Sequence, residues 1–253
     1  MPTSVRDALS LDEKNGDTQW QDSIKKEMRN NRVAFDIKPD GTKAPVGYQH
    51  VPCHLIFDVK MDFTRKARFV SGGHVTKPPS ALTYASVVSR ETVRIAFLLA
   101  ALNEQDILCG DIGNAYLCAP CNEKIYTTCG PEFGSEHCGR IAVIVRALYG
   151  LKSSGAAWRA HMAQTMRDLD FEMCLADNNC WYRVAKHSDG SLCYEYVLIY
   201  TDDILCVSDH PATIMTAIDH HYLVKPASIG RPKHILGMIL VCIQPLMDIK
   251  YGI

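Results

Sequence analysis

The stretch "YVLIYTDDILCVSD" (Tyr196 to Asp209) restricts the fold more than any other part of the chain. A period of two puts Val197, Ile199 and Thr201 on one face and Leu198, Tyr200 and Asp202 on the other. Ile204 to Val207 are apolar again, so the second arm is buried too. The pattern predicts a β-hairpin with both arms in a core and Asp202 and Asp203 at or near its tip. Aspartate suits turns, so a polar turn is one reading. The other is a metal site. Adjacent carboxylates repel, an apolar setting raises the cost, and a bound cation removes it. Oxygen ligands of this kind suit Mg²⁺ or Mn²⁺.

The rest of the chain frames that hairpin. Its 253 residues fit one large domain or two small ones, and 47% hydrophobic content is ample for a core. A formal net charge of -1 gives no global pull toward a polyanion, so any nucleic-acid grip must be local. No apolar run is long enough for a membrane span, and the N-terminus has no apolar stretch of signal-peptide type. The eleven cysteines read as reduced thiols, mostly buried. Cys118 and Cys121 form a CxxC with Cys129, His137 and Cys138 downstream, which leaves a zinc-stabilised module as an alternative, although the later spacings are irregular.

Residues 1–17 read as a loose segment. Asp17 is placed to cap a helix carrying Trp20, Ile24 and Met28 on one face. Leu55, Phe57, Val59 and Met61 alternate with Asp58, Lys60 and Asp62 as in a half-buried strand, and "RKARFV" (Arg65 to Val70) is its basic partner. A helix is expected from Ser89 to about Leu102. "ILCGD" is a strand ending near Asp111, and "IAVIVRALYG" another ending near Gly150. Ser153 or Ser154 caps a helix with Ala157, Trp158, Met162, Met166 and Leu169 on its apolar face. "CWYRVA" is a strand, Pro211 opens a helix, and "HILGMILVCI" is a last strand. There is no βαβ rhythm, so the expected class is α+β with a mainly antiparallel sheet.

Asp111 at a strand end offers a third carboxylate. Alone it would be a cap or a turn. With an aspartate hairpin it could complete a two-metal site, in which ions about 3.5–4 Å apart clamp the attacking and leaving oxygens of an in-line displacement at phosphorus.

These segments, in this order, resemble the reverse transcriptase domain of copia-type (Pseudoviridae-like) retrotransposon polyproteins. "RKARFV" resembles the fingers block, "GDIGNAYL" the first catalytic block, "ALYGLKSSGAAW" the following L-Y-G-L-K block and "YTDDIL" the second catalytic block. "ILGMIL" and "WQDSIKKEM" fit the later L-G block and the opening helix. The resemblance spans about Trp20 to Leu240.

It implies a right-handed polymerase fingers–palm fold with an antiparallel palm sheet on helices, the thumb largely absent after Ile243. Fingers would cover mainly 18–105, and palm mainly 106–253, with part of the fingers near 140–160. It implies an RNA-directed DNA polymerase adding dNTPs to a primer 3′-OH on an RNA or DNA template. Asp111, Asp202 and Asp203 would hold two Mg²⁺ (or Mn²⁺) ions, with the Ile112 carbonyl completing one shell. Arg68, with Arg65 or Lys66, would grip the triphosphate. Gly113, Tyr116, Tyr149, Gly150 and Lys152 would line the nucleotide site, with Tyr116 selecting against a ribose 2′-OH and Gly150 allowing close backbone approach. Leu236 and Gly237 would belong to the primer grip. The resemblance further implies no membrane association, other polyprotein domains (integrase, RNase H) as partners, and an intracellular setting, cytoplasmic in virus-like particles or nuclear.

The chain departs from the pattern in places. Ser153, Gly155 and Ala156 replace the usual Gln, Pro and Arg, and receive no role. Thr201 stands where Val or Met is common and is expected to fit the strand. A truncated, catalytically inactive remnant with residual nucleic-acid binding is the competing reading.

Overall fold

The computed structural model describes residues 1–76, 83, 85–232, 234, 235, 238 and 239. In chain order these form helices α1 (Val5–Asn15) and α2 (Gln19–Asn31), then strands β1 (Phe35–Ile37), β2 (Gln49–His50), β3 (Cys53–Val59) and β4 (Arg65–Ser71). Helix α3 (Arg90–Leu102), strand β5 (Asp106–Asp111), the short helix α4 (Ala115–Cys118), strands β6 (Ile125–Thr128) and β7 (Ile141–Ile144), and helix α5 (Ser154–Asp168) follow. Strands β8 (Glu172–Met173), β9 (Cys180–Lys186), β10 (Leu192–Tyr200) and β11 (Asp203–Ser208) then precede helix α6 (Pro211–Asp219) and strands β12 (His234–Ile235) and β13 (Met238–Ile239). The class is α+β, and strand pairing is antiparallel except for β2 with β6.

The chain divides into two compact units, Met1–Ser86 with Asn114–Asp168, and Val87–Gly113 with Leu169–Ile253. These breaks differ from the expected boundary near residue 105. Helix α3 groups with the strands that follow it, and residues 114–168 return to the first unit.

The first unit holds a four-stranded sheet in the order β1-β7-β6-β2 and the β3–β4 hairpin. Its core gathers Trp20, Ile24, Phe35, Leu55, Phe69, Ile125, Ile144 and Leu148. Helix α2 lies on β4 and satisfies the strand's backbone: the Ala67 amide donates to Ser23 Oγ at 2.8 Å and the Phe69 amide to Glu27 Oε1 at 2.9 Å. An otherwise open strand edge is closed in this way.

The N-terminus corrects the expectation of a loose segment. Residues Val5–Asn15 are helical, begun by Ser4, whose hydroxyl accepts from the Asp7 amide, and ended at Gly16 in the left-handed region (φ 69). Its few apolar residues hid it, yet Ala8 is fully buried. The cap of α2 also differs. Asp12, not Asp17, accepts from the amides of Trp20 (3.1 Å) and Gln21 (2.8 Å), while Asp17 accepts only from Gln19. Asp12 is a buried carboxylate satisfied by the neighbouring helix's unpaired N–H groups.

The second unit is built on a five-stranded antiparallel sheet in the order β5-β11-β10-β9-β8. Leu198, Leu205 and Val207 share a core with Val93, Ala96 and Ala100 of α3. Helix α6 packs on β5 and β11, with Met215 so close to Gly110 that a Cβ there would stand 2.9 Å from its sulfur. Helices thus cover both faces of β11, which explains the unbroken run Ile204 to Ser208, every residue buried. The expected single strand "HILGMILVCI" is instead the antiparallel pair β12–β13 within the described residues. Leu236 and Gly237, the expected primer-grip residues, lie outside the described residues.

Candidate active site

Strands β10 and β11 pair in the register Tyr200↔Asp203, leaving Thr201 and Asp202 as a two-residue turn. Strand β11 in turn pairs with β5 so that Asp203 stands directly opposite Asp111. Residues opposite one another in an antiparallel pair share a face, with Cβ atoms about 5 Å apart. The Ile112 amide donates to the Asp202 carbonyl at 2.8 Å, clipping the turn to the end of β5. Strand register alone therefore brings together all three predicted acids. Ile112 is fully buried, so only its backbone could take part in the site.

Like charges opposite one another destabilise a sheet, and the cost is visible at Asp203. Loss of hydration around its carboxyl, then the charges of Asp202 and Asp111, push its pKa up to about 6, against the pull of Lys225. The three carboxylates do not all lie within 4.8 Å of one another, a wider spread than one small ion's shell. An all-oxygen donor set with excess negative charge fits Mg²⁺ or Mn²⁺.

Thr201, expected to fit the strand, lies instead in the turn at φ 57. A β-branched residue in the left-handed region is strained, at a cost on the order of 1–3 kcal/mol. The strain sits at the tip that carries the acids.

Lys225 was not singled out by the sequence. Its ammonium lies 2.5 Å from Asp111 Oδ1, and its amide donates to the Asp111 carbonyl at 2.9 Å. The segment after α6 runs antiparallel to the end of β5 through the Ile112↔Val224 bridge, and Ser228 Oγ accepts from the Asp111 amide. Gly113 completes this edge by donating to the Leu223 carbonyl at 2.8 Å. Nothing local in "YLVKP" marks this lysine, because its partner is 114 residues away.

The other predicted residues belong to the first unit. On β4, Arg65 shares the inward face with Ala67 and Phe69, its guanidinium 5.8 Å from the Trp20 ring. Lys66 and Arg68 share the opposite face, where Asp58 stands across from Lys66 and lies 3.6 Å from Arg68. The fold thus groups Arg68 with Lys66 and separates it from Arg65. Tyr116 and Tyr149 meet with ring centroids 4.8 Å apart. Lys152 donates to the Thr76 carbonyl at 2.6 Å. Gly150 takes φ 92, and its close neighbour is the Ser71 carbonyl. Cys118 and Cys121 join no group of three metal-ligating side chains among the described residues. Their thiols donate to the Asn114 and Glu123 carbonyls. No described helix is long and apolar enough to cross a membrane.

Asp203 gives a test in pH. A carboxyl whose folded pKa is raised destabilises the fold when ionised. The penalty is absent below the ordinary value of 3.8, grows as pH rises toward about 6, and is complete above it. A shift of this size corresponds to about 3 kcal/mol, and solvent screening at this half-exposed group reduces it to about 1 kcal/mol. With divalent ions chelated, Asp203→Asn is expected to unfold at higher urea than the parent near pH 7 and at the same urea near pH 4. Equal midpoints at both would contradict the crowded-carboxylate reading.

A family model described as reverse transcriptase (RNA-dependent DNA polymerase) matches residues 36–231. The Transposon Ty1-NL2 and Ty1-LR2 Gag-Pol polyproteins of Saccharomyces cerevisiae are each 30% identical to the chain over 185 residues, 70% of this chain and 10% of the relative. The chain thus spans about a tenth of the length of these curated relatives. A solved structure of the foamy viral protease-reverse transcriptase in complex with double-stranded DNA aligns with a TM-score of 0.44 at 12% identity, covering 83% of this chain and 31% of that one. The matched span takes in the β5 end and the β10–β11 turn, and the chain belongs to the reverse transcriptase (RNA-dependent DNA polymerase) family, in its copia-type branch.

Proposed function

We propose that the chain catalyses RNA-directed DNA synthesis, transferring a nucleotide from a dNTP to a primer 3′-OH on an RNA or DNA template. The observation that carries this reading is the Asp203↔Asp111 register with Asp202 in the adjoining turn. Asp111, Asp202 and Asp203 would hold two Mg²⁺ or Mn²⁺ ions. When bound, the ions would lower the pKa of the 3′-OH and stabilise charge around the α-phosphate. Until then, Lys225 neutralises part of the excess charge at Asp111.

Lys66 and Arg68 are the cations proposed to grip the triphosphate. Their side of β4 is not taken up by the core, whereas Arg65 packs over Trp20. A guanidinium in a half-exposed pair with Asp58 can exchange that partner for phosphate at little cost. Gly113 would allow backbone approach beside the acids. Tyr149 and Lys152 would act near the templating base, with Gly150 setting their loop. Tyr116, braced by Tyr149, would exclude a ribose 2′-OH. Template–primer binding would be mostly phosphate contacts and therefore salt-sensitive, and weak because the net charge of -1 gives no global attraction. Other domains of a Gag-Pol-type polyprotein are the proposed partners.

The reading is tested by primer extension on an RNA template with dNTPs and Mg²⁺ or Mn²⁺, parent against Asp202→Asn. No extension by either would leave the inactive, nucleic-acid-binding alternative. The sugar gate has its own test: Tyr116→Ala is expected to raise rNTP incorporation relative to dNTP by about tenfold or more, a gain of about 1.4 kcal/mol. An unchanged preference would remove that role.

A further inference from the structure

We propose that His187, Cys193 and Asp209 form a separate metal site for a zinc-class divalent ion, at the opposite end of the β10–β11 pair from Asp202. Among the described residues they are the one group of three His, Cys, Asp or Glu side chains whose ligand atoms all lie within 4.8 Å of one another. Cys193 and Tyr200 stand near the two ends of β10, so about 20 Å of strand separates this group from the acidic turn. The inference therefore does not rest on the polymerase reading.

Rigid backbone presents all three ligands. His187 begins the β9–β10 turn, closed by the His187 amide on the Ser191 carbonyl and the Gly190 amide on the His187 carbonyl, each at 2.9 Å. Gly190 takes φ 87 and the Asp189 carboxylate accepts from the Ser191 amide, so the turn has little freedom. Cys193, the second residue of β10, is held in the ladder opposite Ala185. Asp209 follows the last residue of β11, where Ser208 Oγ accepts from the His210 amide and donates to Glu195. The His187 Nδ1 atom stands 2.8 and 3.0 Å from the two oxygens of Asp209.

The donor chemistry selects the ion. A thiolate with an imidazole and a carboxylate suits Zn²⁺ and is foreign to the oxygen-seeking Mg²⁺. Ligands at about 2.0–2.3 Å from a tetrahedral ion stand about 3.3–3.8 Å apart, so a bound ion would open the His187–Asp209 pair, now at 2.8 Å, by about half an ångström and draw the thiol in from within its 4.8 Å limit. Cys193 is buried, while His187 and Asp209 keep side-chain exposures of 23% and 22%. That asymmetry leaves a solvent-facing fourth position for water. Burial first, then the carboxylates of Asp209, Glu195 and Asp189, disfavour a bare thiolate at Cys193, and a bound cation would offset that cost. Bound metal would tie the β9–β10 turn to the end of β11.

The competing arrangement is a bare His187–Asp209 ion pair beside a neutral thiol. Titrating the reduced, chelator-treated full chain with Co²⁺ separates the two. Near-stoichiometric thiolate-to-cobalt charge-transfer absorption, displaced by Zn²⁺, is expected. His187→Gln and Cys193→Ser, each checked for native circular dichroism, are expected to weaken binding by about 100-fold or more, while a Cys118→Ser/Cys121→Ser double variant binds like the parent. His187 is partly exposed, so its variant stands even if the cysteine variant fails to fold. The proposal is overturned by absence of the band, by its survival in His187→Gln, or by its loss in the double variant alone.

Discussion

Asp202→Asn is expected to lower primer extension on the order of a thousand-fold, a loss of about 4 kcal/mol of transition-state stabilisation, without unfolding the protein. The two halves of that statement have different physical origins. Asp202 is a turn residue whose structural contribution here is its carbonyl, which accepts from Ile112 and is unchanged by the substitution. Asparagine is as welcome in a turn as aspartate. Its removal also takes away one of the charges that raise the Asp203 pKa, so stability is expected to stay level or rise slightly. The loss of rate comes from the charge itself, because an amide oxygen is a weaker ligand for a hard divalent ion. An inactive variant with an equal or higher unfolding midpoint therefore supports a charge held for chemistry. A variant retaining activity within a few-fold of the parent would sink the assignment of Asp202, whatever its stability.

The acidic site could be read from the sequence because its geometry follows from strand parity. Apolar runs on either side of Asp202 and after Asp203 leave one register in which the arms are buried. Asp111, at the end of its own apolar run, falls opposite Asp203 in the same sheet. The same parity also separates Arg65 from Arg68, since odd positions of "RKARFVS" turn inward with Ala67 and Phe69. That separation is legible in the alternation itself. Other features were not available. Lys225 reaches Asp111 only because the chain returns along β5 after α6, a contact that no local pattern encodes. Helix α1 docks through Val5, Ala8 and Leu11, a row too short to stand out among its charged residues, and two caps fix its ends. Asp12 outranks Asp17 as the cap of α2 because of where the first helix docks, not because of spacing. The chain also revisits each compact unit, so contiguous blocks of sequence could not give the division.

Gly150→Ala is expected to destabilise the protein by about 3–5 kcal/mol, most of the stability of a marginal domain. The sequence suggested that Gly150 permits close backbone approach, and the fold supplies that approach within the protein itself. A Cβ at Gly150 would lie 2.1 Å from the Ser71 carbonyl oxygen, and one at Gly73 would lie 2.1 Å from the Gly150 carbonyl oxygen. Segments 71–73 and 149–151 therefore cross with glycine on both sides of the contact. The crossing is held by the Ser71 amide and hydroxyl, which donate to the Tyr149 carbonyl at 2.8 and 3.1 Å. A methyl group must separate the two backbones and break those bonds, about 1 kcal/mol each. The left-handed φ of 92 adds about 1–3 kcal/mol of strain for any L side chain. Gly16 is the internal control: it too is left-handed (φ 69), but a Cβ there meets nothing within 4 Å. Gly16→Ala should cost only the conformational part, about 1–2 kcal/mol. Urea unfolding of the two variants separates crowding from conformation. A Gly150→Ala protein no less stable than Gly16→Ala would mean that the crossing yields readily. If the larger loss is observed, weakened extension by Gly150→Ala must be read through the displaced Tyr149–Lys152 loop, because in this fold the glycine serves the Ser71 crossing directly and any nucleotide only through it.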